Sequence, residues 1–288
     1  MAFLAQPAQA QLYVAEYGNS TVGEFDGNSG AVIKNPFVSG LNFPTGIAIS
    51  GNDLYVANWT AGTIGEYNAS SGATINAALV SGLSPEGNIV VSGSSLYVAN
   101  YWGNSVAEYN ATTGAAINTS LISGVSQPLG LAISGNNLYV AFNTSTIGTI
   151  GEFNASSGAP INASLVSLTY LNGIAVSGNN LYAVDDGNGV IDEYNATSGA
   201  LTTASLVSGG GPRLGITVSG DDLYVADYGA NSIGEYDATS GAPIDSTLVS
   251  GLHDPEGIAV EPAPEPATLA LLAVSGTALF VRRRQSVA

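Results

Sequence analysis

Cysteine is absent from this 288-residue chain, methionine and histidine occur once each, and lysine and arginine together number five. Without cysteine there can be no disulfide, thiolate zinc site or cysteine nucleophile. Serine–histidine–aspartate chemistry would have to run through His253, the single histidine. That residue stands before Asp254-Pro255, in a loop, where a lone histidine is simply solvated. Three of the five basic residues are Arg282, Arg283 and Arg284, so residues 1–281 carry only Lys34 and Arg213. Nucleic-acid binding needs clustered cations against phosphates and is excluded. Charged residues make up 9% of the chain, where a soluble domain has roughly 25%. Disorder is excluded in turn, since 45% of residues are hydrophobic and 8% aromatic. A chain of this length buries enough surface to fold without disulfides, so the missing cysteine says nothing by itself about compartment.

What is present is a repeat. Leu-Tyr recurs at residues 12, 54, 96, 138, 181 and 223, at spacings of 42, 42, 42, 43 and 42. Each unit holds four short β-like runs. The first follows Pro-x-Gly, as in Ile47-Ala48-Ile49; the second is LYVA; the third is IGEY or a variant; the fourth is weaker, as at Leu79-Val80. A tight SGND- or SGNN-type turn joins runs one and two. A segment such as Asn68-Ala-Ser-Ser-Gly72 joins runs three and four and fits a type I turn closed by a glycine bulge. No unit shows the 3.6-residue apolar period of an amphipathic helix. Four strands per unit of about 42 residues, six times over, give an all-β fold, a six-bladed β-propeller over residues 11–261. The chain enters at Leu12 in a second strand and ends its repeats on Gly257-Ile258-Ala259-Val260, a seventh first strand. The C-terminal strand is therefore expected to complete the N-terminal blade.

The Pro-x-Gly-Ile-Ala-Val strand followed by LYVAD resembles the NHL repeat. Units such as LYVANYWGNSVAEYNATTGAA, Leu96 to Ala116, also resemble the YVTN-type propeller repeat. Both resemblances imply a binding scaffold.

Residues 262–288 break the pattern. Pro264-Glu265-Pro266 is followed by a 15-residue uncharged run, 267–281, and then by Arg282, Arg283 and Arg284. As a short transmembrane-like helix the run would cover ~22 Å, a marginal span with the arginines on the cytoplasmic side. The three parts in this order resemble the PEP-CTERM sorting signal. That resemblance implies recognition by an exosortase-type membrane protease, export, and a place at the bacterial cell envelope or outside it, with a transient or retained C-terminal anchor. At the other end, Ala8-Gln9-Ala10 looks like a signal-peptidase site, and residues 1–10 are read as the remnant of a truncated signal peptide.

Several residue sets are candidates for chemistry. The residues that begin the first strands, Glu256, Thr45, Glu86, Leu129, Asn172 and Leu214, are expected to ring one mouth of the central channel. Glu86, Asn172 and Glu256 fall on alternate blades, an oxygen set suited to Ca²⁺ or another divalent cation. This placement is similar to the metal site of the six-bladed SMP-30/gluconolactonase family, with Glu for Asp here, and implies a cation-dependent hydrolase as one alternative function. The second strands end in Glu16, Asn58, Asn100, Asn143, Asp185 and Asp227, expected to cap turns. A glutamate recurs in every third strand: Glu24, Glu66, Glu108, Glu152, Glu193 and Glu235. Third strands lie ~10 Å outside the first, too far out for six carboxylates to share a ligand. Trp59, Tyr101, Trp102 and Tyr228 lie in loops after the second strands and suggest a lectin-like surface, since flat rings grip sugar rings. The sequence thus points to an exported monomer acting as a binding or structural scaffold toward exopolysaccharide or surface proteins.

Overall fold

In the computed structural model, which describes residues 10–85, 87–144, 147–209 and 213–261, six first strands stand around a central channel. They are β4 (Pro44–Ser50), β8 (Ile89–Ser92), β12 (Pro128–Ser134), β16 (Leu171–Ser177), β20 (Arg213–Ser219) and β24 (Pro255–Glu261). Each opens a four-stranded antiparallel sheet, and each is hydrogen-bonded on one side only. Its free edge therefore faces the channel, and the channel wall is backbone as much as side chain.

The expected closure is present. Blade 1 has the order β24, β1 (Gln11–Glu16), β2 (Thr21–Asp26), β3 (Val32–Val38). Leu12 pairs with Val260 and Val14 with Ile258, so the last strand completes the first sheet. The remaining blades follow in chain order over residues 44–81, 89–123, 128–168, 171–208 and 213–250. A chain ending at Ser250 would leave β1 as an open edge, with Leu12 and Val14 uncovered. Such a truncation is expected to unfold or self-associate at temperatures where a chain ending at Glu261 stays monomeric, as size-exclusion chromatography would show.

The core lies between blades. Second-strand residues such as Leu54, Val56 and Ala57 are fully buried, and six apolar clusters join each blade to its neighbour. The second-strand tyrosine ties blades together: the Tyr13 hydroxyl donates to Ala69 O of blade 2 at 2.9 Å, and Tyr224 of blade 6 donates to Gly27 O of blade 1 at 3.3 Å. Outer strands are exposed along most of their length. They are blunted by bulges where Asn76, Asn118, Asn162 and Asp245 each accept a hydrogen bond from the backbone N–H two residues on, at 2.9 to 3.2 Å. Those bonds use edge donors that could otherwise pair with another chain.

No helix among the described residues is long and apolar enough to cross a membrane. The apolar run 267–281 with its expected helix, the arginine cluster, and the signal remnant apart from Ala10 lie outside the described residues.

Candidate functional site on the channel-mouth face

The third-strand glutamates acquire a local role. Each lies directly across from its own blade's second-strand tyrosine: Tyr13 with Glu24, Tyr55 with Glu66, Tyr97 with Glu108, Tyr139 with Glu152, Tyr182 with Glu193, Tyr224 with Glu235. All six carboxylates are buried. Tyr224 donates to Glu235 at 3.3 Å, Ser95 to Glu108 at 2.7 Å and Thr203 to Glu193 at 2.8 Å. Burial raises the pKa of Glu24, Glu66, Glu152 and Glu235 above the ordinary carboxylate value. The same burial, then the charges of Asp53 and Glu66, pushes Tyr55 up to about 12. Each pair lies within one blade, while the hydroxyls of Tyr13 and Tyr224 also reach the next blade.

The second-strand ends act as caps. Asp227 accepts from Ala230 N at 2.8 Å and Asp185 from Asn188 N at 3.2 Å. Asn143 clamps the backbone of Leu171 through both amide atoms, at 2.6 and 3.1 Å. Glu16, wholly buried, accepts from Asn35 Nδ2 at 2.9 Å and His253 N at 3.1 Å, binding the closing loop to blade 1.

At the channel mouth a cavity of about 190 Å³ is lined by Thr45, Asn88, Leu129, Asn172, Leu214 and Glu256, with the glycines beside them. Asn172 and Glu256 thus face one space. Glu86 lies outside the described residues. Ile89 pairs with Val98 as Ile47 pairs with Val56 and Ile258 with Val14. Between that pair and its Pro-x-Gly segment blade 3 carries one residue more than the others, Asn88, which lines the cavity together with Gly87. Two of the remaining oxygens are engaged: the Thr45 hydroxyl donates to Pro85 O at 2.9 Å and Asn88 Oδ1 accepts from Ile89 N at 2.8 Å. Among the described residues, no three His, Cys, Asp or Glu side chains are grouped to hold a metal, and Glu256 is the one carboxylate among the described residues lining the mouth cavity.

The loops after second strands and before first strands share this face. They are stitched together by backbone bonds: Tyr17 N to Asp254 O, Trp59 N to Phe43 O and Leu83 N to Gly62 O, at 3.0 to 3.2 Å. Phe43 and Asp254 adopt left-handed φ of +51° just before a proline, a conformation that costs roughly 1–2 kcal/mol for a residue with a side chain. It aims their carbonyls at the loop of the neighbouring second strand. Here three rings meet. Tyr17 and Phe43 have centroids 4.9 Å apart, and Tyr17 and Trp59 stack at 5.9 Å and 28°. Phe43 is 40% exposed. Tyr101 and Trp102 form an edge-on pair at 5.0 Å, with Trp102 62% exposed. The Tyr228 hydroxyl is pushed up in pKa by burial and then by the nearby charges of Asp254 and Glu256. Of the expected aromatics, Trp59 falls in the three-ring group, Tyr101 and Trp102 pair on the next blade, and Tyr228 lies on the other side of the ring closure. Phe43 was not expected. Its only sequence signal is an aromatic directly before the proline of a first strand.

Residues 262–285 match the PEP-CTERM protein-sorting motif. The motif implies export, direction to the cell envelope with a C-terminal anchor region, and processing by exosortase-type machinery. No curated protein sequence matches the chain. Among solved structures, a chain from the crystal structure of a nidogen/laminin complex is similar over 87% of this chain and 98% of its own, at 17% identity and a TM-score of 0.74. The computationally designed Ika8 protein is similar over 84% of this chain and 72% of its own, at 16% identity and a TM-score of 0.50. At these identities the likeness concerns the fold alone. The protein is an all-β six-bladed propeller carrying an envelope-directed sorting signal.

Proposed function

We propose that this protein is a binding scaffold of the envelope or extracellular matrix whose channel-mouth face engages neutral glycan chains. The observation that carries the reading is the Tyr17–Phe43–Trp59 group, three partly exposed rings held together by stacking and by the Phe43 carbonyl bond to Trp59 N. An aromatic face offers apolar contact to the C–H face of a sugar ring, and its preset position reduces the ordering cost of binding. Charge narrows the ligand. Residues 11–263 carry 21 acidic side chains against Lys34 and Arg213, a formal −19, which repels anionic polymers. The likeness of the repeats to NHL and YVTN units is in keeping with a scaffold, and residues 1–10 and 262–288 are read as the export and sorting segments that deliver it.

In a binding assay against immobilised neutral polysaccharides, Trp59→Ala is expected to weaken retention at least ten-fold, equivalent to about 1.4 kcal/mol. Equal retention of wild type and Trp59→Ala, at equal thermal stability, would remove this reading.

A further inference from the structure

A cleft of about 590 Å³ opens between blades 2 and 3, against the outer strand β7 (Thr74–Ser81). Its polar lining comes from Ser81, Ser84, Asn100, Ser105, Tyr109 and Thr119. It traces to one residue of the third strand β10 (Ser105–Asn110). Opposite the second-strand valines Val14, Val56, Val140 and Val225 stand Gly23, Gly65, Gly151 and Gly234. In each of those blades the aromatic two residues on, Phe25, Tyr67, Phe153 or Tyr236, folds back over the glycine. It comes within 2.6 to 2.7 Å of where a Cβ would stand. The partner of Val98 is instead Ala107. Its methyl takes that space, and Tyr109 cannot adopt the folded-back position.

The hydrogen bonding at this end of the blade differs as well. In blade 2 the amide at the end of the second strand, Asn58, has its Oδ1 accepting from the loop backbone at Asn42 N, 3.1 Å away. In blade 5, where Asp192 replaces the glycine, the Tyr194 hydroxyl donates to Asp192 Oδ2 at 3.3 Å. In blade 3 the corresponding amide, Asn100, keeps Oδ1 buried with no hydrogen-bond partner among the described residues. A buried acceptor left unpaired carries a desolvation cost that a donor entering the cleft would relieve.

We infer that this cleft is a binding site for a neutral sugar unit. Its lining offers five hydroxyls and an amide and contains no charged side chain. Its volume falls within the range of small-molecule sites. The exposed Trp102 is next in sequence to Gly103 of the lining, placing an aromatic beside its rim. The site shares no residue with the Tyr17–Phe43–Trp59 group and stands or falls independently of it.

The test is calorimetric titration of the full chain with cellobiose and maltose as neutral probes and digalacturonate as an acidic one. Saturable binding of a neutral disaccharide is expected, with digalacturonate at least ten-fold weaker. Ala107→Gly, which lets Tyr109 fold back toward Asn100, is expected to reduce affinity at least ten-fold, and so is Asn100→Ala. Trp59→Ala should bind these probes as wild type does. Glycine already occupies the Ala107 position in four blades, so the first variant keeps the fold, and Asn100→Ala gives a separate readout. Failure of both neutral disaccharides to bind, unchanged affinity in both cleft variants, or preference for digalacturonate would overturn the assignment.

Discussion

Gly241→Ala is expected to lower the melting temperature by roughly 10 °C, while Gly51→Ala lowers it by only a few degrees. Both glycines have left-handed φ, +68° and +56°, so each alanine meets a backbone cost of ~1–2 kcal/mol. Around Gly51 a Cβ would meet nothing within 4 Å; at Gly241 it would stand 1.7 Å from Leu206 O of the preceding blade. Neither partner of that contact is a flexible side-chain end. The turn or the neighbouring outer strand must move, adding an overpacking cost of ~1–3 kcal/mol. A total of about 2–5 kcal/mol in a domain of this size corresponds to a shift of roughly 10 °C. The contact recurs around the ring: Gly30 meets Leu248 O, Gly72 meets Phe37 O and Gly158 meets Leu121 O, all below 2.4 Å. A displaced turn in one blade therefore presses on a neighbour that has no free side to retreat to. Equal losses in the two variants, measured by scanning calorimetry, would show that blade-to-blade contact does not set the requirement for glycine.

Mild acid is expected to stabilise this protein. Glu24, Glu66, Glu152 and Glu235 have folded-state pKa values raised, above all by burial, and Asp222 shifts the same way for the same reason. A carboxyl whose pKa is higher folded than unfolded binds its proton more readily in the native state. Its contribution is fully present below the unfolded value, near 4.5 for Glu, and is lost as pH rises through the folded value. Stability should thus climb as pH falls from 7.5 to 5, and the fall in net charge from −17 acts in the same direction. Asp237, held low by the Ser240 side chain and backbone, opposes this only below the window. A rise in melting temperature of at least ~3 °C, the equivalent of about 1 kcal/mol, is expected between pH 7.5 and 5. The quadruple variant Glu24→Gln/Glu66→Gln/Glu152→Gln/Glu235→Gln should be more stable than wild type at pH 7.5 and show a flatter profile. A wild-type melting temperature that falls over this range would contradict the direction of the shifts.

Much of the architecture was legible in the chain. The 42-residue spacing of Leu-Tyr gave the blade count, and the seventh Gly-Ile-Ala-Val run gave the closure later seen in the Leu12–Val260 pairing. Those features are local and periodic, and each copy of the unit reinforces the same reading. The candidate sites were less legible because they depend on register and on neighbours far apart in sequence. Pro-x-Gly spacing put Glu86 level with Asn172 and Glu256; Asn172 and Glu256 do face one cavity, and Glu86 lies outside the described residues. The aromatic residues after the second strands were visible singly; that Trp59 stacks on Tyr17 and that Phe43 joins them required loops from two blades to meet.

By itself, then, the sequence determined the class of fold, the number of blades, the way the ring closes and the sorting tail, because turn chemistry and alternation are written within each unit. Only the tertiary structure decided what the exceptions to the repeat do. A glutamate in every third strand is a cross-strand partner for tyrosine, since neighbouring strands bring the two side chains to one face. One methyl group at Ala107 is unremarkable in the chain, yet it denies Tyr109 the place its counterparts occupy, beside a cleft between blades where Asn100 Oδ1 is buried and unpaired among the described residues. Packing of one blade on the next is what turns that small departure from the repeat into a site.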